Sequence, residues 1–144
     1  MVIIRVWHWK LISALPREQL VAQWRELSAI AGNLNTKGTP NHILVNKVLD
    51  YSLDQFIQYS QMVSDEMTRR GYRTMDSVMK KIDSLTNGHA EYLPEHLYEY
   101  WHNDRYFLQC YYNLQEKYDC GGVSTEDWEK IYQLGVDKFG VGEL

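Results

Sequence analysis

The chain has 144 residues, 44% of them hydrophobic and 24% charged, with a formal net charge of −4. That length and composition are those of one soluble globular domain, residues 1–144, with a sizeable core. The acidic balance argues against a strongly basic nucleic-acid binder.

The charge is unevenly spread. Residues 1–81 hold 11 Lys and Arg against 7 Asp and Glu, a balance of +4, whereas residues 82–144 hold 4 against 12, a balance of −8. A cationic face on an acidic protein is compatible with local DNA binding, and equally with no nucleic acid at all. No run of about 18 apolar residues is present, so no membrane span is expected. Met1 to Trp9 is apolar but broken by Arg5 and His8, and it lacks the pattern of a signal peptide. Cys110 and Cys120 make no disulfide framework. They read as reduced thiols of a cytoplasmic protein.

In chain order, residues 2–12 are expected to be extended or irregular, with Val2, Ile3, Ile4 and Val6 favouring β geometry. The first helix opens near Pro16, a residue suited to a first helical turn. It runs to about Ile30, where Gly32-Asn33 is expected to stop it. On a helical wheel Trp24, Leu27 and Ala31 fall within roughly 40° of Leu20, while Arg25 and Glu26 lie about 140° and 240° away. Trp24 should therefore be buried while a cation and a carboxylate project side by side. From the helix alone the plain outcome is a solvated pair of charges.

Asn33 to Pro40 reads as a loop and His42 to Leu49 as a short helix. Ser52 and Gln55 have the spacing of a capping box for the next helix. Phe56, Ser60, Val63 and Met67 share one face of it, and it should end at Gly71 behind basic residues that suit its C-terminal dipole. Met75, Val78, Met79, Ile82 and Leu85 recur at helical spacing until Asn87-Gly88, and a loop follows to about Pro94. Another helix spans Asn103 to Lys117, burying Phe107, Leu108, Tyr111 and Leu114, and Cys120-Gly121-Gly122 ends it. Ser124 caps the last helix, with Trp128, Ile131 and Tyr132 facing inward. The expected fold is all-α, a single compact domain of five or six helices with an extended N-terminal segment.

Three stretches carry a resemblance. Leu20-Val21-Ala22-Gln23-Trp24-Arg25-Glu26, preceded by Arg5-Val6-Trp7, resembles the start of the pyrimidine dimer DNA glycosylases of the endonuclease V type. Thr68-Arg69-Arg70-Gly71-Tyr72-Arg73 is similar to the end of a later helix in bacterial relatives, and His42-Ile43-Leu44-Val45-Asn46-Lys47-Val48 to a segment of small proteins grouped with them. The resemblance implies a DNA-repair enzyme that needs no cofactor and takes damaged duplex DNA as its partner. Glu26 would then stabilise the cationic sugar and serve in proton transfer. Arg25 would hold a phosphate by bidentate hydrogen bonds.

The family's nucleophile is the α-amine of its mature N-terminus, a group with a pKa near 8 that attacks the sugar C1′ and forms an imine. Arg5 matches the Arg that follows that terminus, which places the family's terminus at Ile4. Removal of Met1 would expose the amine of Val2, two residues earlier. Arg5, His8, His42 and Asn46 are the further candidate DNA contacts, His42 and Asn46 sharing a face if helical. His8 reads equally as a packed core histidine, and Lys10 as an ordinary exposed lysine. His89, His96 and His102 are spaced as no helical ligand pair, so no metal site is expected. The competing readings are an inactive nucleic-acid or nucleotide-binding module of the same fold, and a protein-interaction domain using the aromatic, acidic second half.

Overall fold

The computed structural model describes residues 5–36, 47–86 and 97–140. The fold is all-α, with no strand among the described residues. Five α-helices are described: α1 (Arg17–Thr36), α2 (Leu53–Arg69), α3 (Asp76–Asp83), α4 (Asp104–Asp119) and α5 (Thr125–Phe139). Short 3₁₀ turns lie at Trp9–Ala14, Lys47–Asp50 and Ser84–Thr86. None of the described helices is long and apolar enough to cross a membrane.

The first departure from expectation is at the N-terminus. Arg5–His8 is irregular, but Trp9–Ala14 is a 3₁₀ helix, not extended chain. The His8 side chain caps it by accepting from the Lys10 amide. It ends at Leu15, whose ψ of 134° is the extended conformation required before Pro16. Helix α1 then starts directly behind that proline.

Helix α1 does not stop at Gly32-Asn33 but continues to Thr36. Glycine inside a helix costs about 1 kcal/mol relative to alanine. Packing offsets it: Ile30 and Ala31 are buried, α1 lies against α2 and α3, and the Lys81 ammonium on α3 reaches the Ser28 hydroxyl at 2.9 Å. Leu20, Trp24 and Leu27 are buried on the face turned to α2, as their spacing predicts.

Phe56, Ser60, Val63 and Met67 are all buried on α2. The capping box is not formed. Ser52 occupies the N-cap but makes no side-chain cap bond, and Gln55 Oε1 accepts from the Tyr98 amide at 2.6 Å instead. Beyond Arg69 the chain closes with Tyr72 N–H on Met67 O (2.8 Å) and Gly71 N–H on Thr68 O (3.0 Å). Gly71 sits at φ +80°, where a side chain would be strained although nothing crowds the space.

Helix α4 is capped by the Asn103 side chain on the Tyr106 amide and buries Tyr106, Phe107, Cys110, Tyr111 and Leu114. Leu108 is only half-buried. Ser124 caps α5 through the Asp127 amide. Ile131 faces the core and Trp128 is half-buried, but Tyr132 is exposed; Gly135, four residues beyond Ile131, takes the inward place. Cys110 is buried, Cys120 exposed, and both are free thiols. The loop expected after Asn87-Gly88, together with His42, Asn46, His89 and His96, lies outside the described residues, as does Val2.

Candidate functional site

The site is built on one stripe of α1. Gln19, Ala22, Gln23 and Glu26 recur at three- and four-residue spacing, so they share a face beside the buried Leu20–Trp24–Leu27 stripe. Gln23 is fully buried. Its Oε1 accepts from the Trp7 amide at 2.9 Å, and its Nε2 donates to Glu26 Oε2 at 3.3 Å. The Tyr59 hydroxyl on α2 donates to the Trp7 carbonyl at 2.6 Å and lies 2.9 Å from Gln23 Oε1. Both polar groups of the Trp7 backbone are thus held by side chains of two different helices.

The rest of the N-terminal segment is tied down in the same way. The Glu26 carboxylate accepts the Arg5 backbone N–H. Tyr106 donates to the Val6 carbonyl at 2.6 Å. His8 Nε2 donates to the His102 carbonyl at 2.7 Å while its Nδ1 accepts from Lys10, and His102 Nδ1 accepts from the Trp9 amide at 3.1 Å. These partners assign both imidazoles as neutral rings protonated on Nε2. Burial drives His8 down to about 4 and His102 well below the usual histidine range. The irregular segment from Arg5 to His8, with Trp9 behind it, is therefore locked against α1, α2 and the entry to α4.

Glu26 opens onto a cleft of about 360 Å³ lined by Arg5, Trp7, Glu18, Gln19, Ala22, Glu26, Asn113 and Lys117. Glu26 is half-buried, and burial raises its pKa above the usual carboxylate value; the Arg5 N–H and the charge of Arg25 pull it partly back. A carboxylate moved toward neutrality accepts and returns a proton more readily at cellular pH. The Arg5 guanidinium lies 5.4 Å from the centre of the Trp7 ring and reaches the Tyr106 hydroxyl. Lys117, on α4, is a second cation lining the cleft.

Of the residues singled out in the sequence, Arg5 and Glu26 come together. Arg25 is exposed and does not line this cleft. His8 is 1% exposed, sealed in a cluster of aromatic rings, so the packed-histidine reading describes it and a phosphate contact does not. Lys10 is exposed at the beginning of the 3₁₀ turn, and its pKa is lowered by burial and by the nearby Lys138. No group of three metal-ligating side chains occurs among the described residues. Sequence reasoning missed Gln23, Tyr59, Tyr106, Asn113 and Lys117. Gln23 and Glu26 were recognisable as one helix face, and Asn113 and Lys117 as an i, i+4 pair. Nothing local pointed to Tyr59.

The model of the family described as pyrimidine dimer DNA glycosylase matches residues 1–80, more than half of the 144-residue chain. The chain belongs to the pyrimidine dimer DNA glycosylase family. The matched part holds Arg5, Trp7, Gln23, Glu26 and Tyr59, whereas Asn113 and Lys117 lie beyond it. No match was found among curated proteins or among solved structures. The α1 stripe and the N-terminal segment that build the cleft both lie within the residues matched by the glycosylase family.

Proposed function

We propose that this chain is a DNA glycosylase with abasic-site lyase activity on damaged or modified pyrimidines. The observation that supports it is the Glu26 carboxylate receiving the Arg5 backbone N–H at the edge of the cleft. Arg5 is the residue that, by the resemblance, follows the family's amine-bearing terminus, and chemistry that uses an α-amine and an acid together requires the two to lie near each other.

In the proposed reaction the neutral α-amine, that of Val2 once Met1 is removed, attacks C1′ of the damaged nucleotide. The C1′–N bond breaks, and its electron pair and a proton leave with the base. The nitrogen lone pair then opens the sugar ring to give a protonated imine. Glu26 stabilises the positive charge on the sugar more in the transition state than in the ground state. It next removes a proton from C2′, the C3′–O bond breaks with the phosphate as leaving group, and water releases the amine. Arg5 and Lys117 are suited to hold phosphate oxygens, and Arg25 to reach the backbone from the outer face of α1. Extracting the base costs a few kcal/mol, least for a lesion that is already poorly stacked.

Borohydride trapping tests this. Duplexes with a pyrimidine dimer or an abasic site should give a covalent adduct that maps to the N-terminal residue. Glu26→Gln should preserve DNA binding and lower turnover by at least about 10²-fold. Absence of trapping on both substrates, with the native N-terminus verified by intact mass, would leave nucleic-acid binding without chemistry as the better account.

A further inference from the structure

A second polar pocket, of about 600 Å³, lies where the 3₁₀ turn meets the start of α1, the end of α2 and the first turns of α5. Its charged and aromatic lining is Arg17, Arg69, Arg70, Tyr72, Asp127 and Lys130. Arg70 is committed to the wall: it donates to the carbonyls of Leu15 (2.7 Å) and Ser13 (3.1 Å) and to Glu66 (2.7 Å). The others present their charge outward. Arg69 is gripped from behind by both carboxylate oxygens of Glu66 yet remains 66% exposed. The exposed Arg17 guanidinium is placed 5.2 Å from the centre of the Tyr72 ring, and Lys130 is exposed on α5.

The balance of charge separates this pocket from the Glu26 cleft. In the cleft Arg5 and Lys117 face Glu18 and Glu26, so it carries no excess and does little to attract a polyanion. Here four cations face Asp127, and Glu66 behind them offsets one more, leaving two positive charges in excess on a chain of net charge −4. Helix α1 begins at Arg17 and adds its positive dipole end. Arg17 lines this pocket and the adjacent Glu18 lines the cleft, so both open beside the first turn of α1.

We propose that this pocket binds a phosphate group of the DNA backbone through Arg17, Arg69 and Lys130, outside the reacting nucleotide, and supplies the excess of positive charge that the cleft lacks. The identity of the polyanion rests on the glycosylase reading; the phosphate site does not. Such a contact is blind to sequence and lesion.

The test compares the full chain with the double variant Arg17→Gln/Lys130→Gln, whose changed residues do not line the Glu26 cleft. A Lys47→Gln/Lys80→Gln chain serves as a charge-matched control. Affinity for undamaged and dimer-containing duplexes is followed by fluorescence anisotropy across a salt series. The slope of log K against log salt should flatten by about 1 to 2 in the double variant only, and equally for both duplexes. Trapping at saturating enzyme should stay within about twofold of wild type, since contacts to a remote backbone phosphate position the duplex and leave the chemical step alone. A slope unchanged from the control would overturn the pocket while leaving DNA binding intact. If the wild-type chain binds no duplex, the glycosylase reading fails, and titration with inorganic phosphate followed by NMR decides the pocket. Shifts at the Arg17 and Arg69 Nε–H groups of the wild-type chain, with the Arg69 shift lost in the double variant, support a phosphate site. No shifts, or the same shifts with chloride, overturn it.

Discussion

The junction of Trp7, Gln23 and Tyr59 makes a quantitative prediction. Gln23→Leu keeps an apolar volume in a fully buried position but removes the acceptor of the Trp7 amide. A buried N–H without a partner costs about 1–3 kcal/mol. Tyr59→Phe removes the donor to the Trp7 carbonyl and leaves that acceptor bare at a similar cost of about 1–3 kcal/mol. A midpoint value of about 2 kcal/mol lowers the melting temperature of a chain this size by roughly 6–8 °C. The two groups hold the same residue, and the Tyr59 hydroxyl also touches Gln23 Oε1. Once one is gone the segment loosens toward water, so the second loss should cost less. The double variant should therefore fall short of the sum of the singles by at least about 0.5 kcal/mol. Urea unfolding of the four proteins measures the cycle. Borohydride trapping should drop in each variant more than DNA binding does, because the N-terminal segment is no longer held against Glu26. Additivity to within about 0.3 kcal/mol, or single costs under about 0.5 kcal/mol, would refute the coupled junction.

Trp24→Ala should destabilise by about 3–5 kcal/mol, since the ring is buried between α1 and its neighbours; a loss under about 1 kcal/mol in the same unfolding assay would mean the ring packs little. The two buried histidines predict acid sensitivity. Each binds a proton in the unfolded chain below about pH 6.5 but stays neutral in the fold, His8 down to about 4 and His102 lower still. The unfolded state thus holds more protons in that window. Stability is complete above about 6.5 and declines as the pH falls, by up to about 2.7 kcal/mol per pH unit for the pair. A pH series of urea midpoints that is flat between 6.5 and 5 would contradict the neutral assignment of both rings.

Much of the fold was legible because its determinants are local. The spacing of Leu20, Trp24 and Leu27, and of Phe56, Ser60, Val63 and Met67, specifies a buried helix face within a few turns. Gly71 and Gly121 mark helix ends because the left-handed backbone at those points favours glycine, with φ of +80° and +84°. Arg5 and Glu26 were each marked by the family resemblance, but the cation expected beside Glu26 was Arg25. Where tertiary contacts compete with local signals, local reading failed. Helix α1 runs through Gly32 because α3 packs on it, and Gln55 abandons the capping box because the Tyr98 backbone offers a better partner. The cleft itself depends on groups far apart in the chain. Tyr59 holds Trp7 across 52 residues and Tyr106 holds Val6 across 100, and Lys117 of α4 lines the same cleft as Glu26 of α1 although the two are far apart in the chain. Periodicity and capping act over one or two helical turns, so they determine which residues face inward. Which inward residues meet, and so where a backbone amide comes to rest on a carboxylate, is decided by how the helices pack.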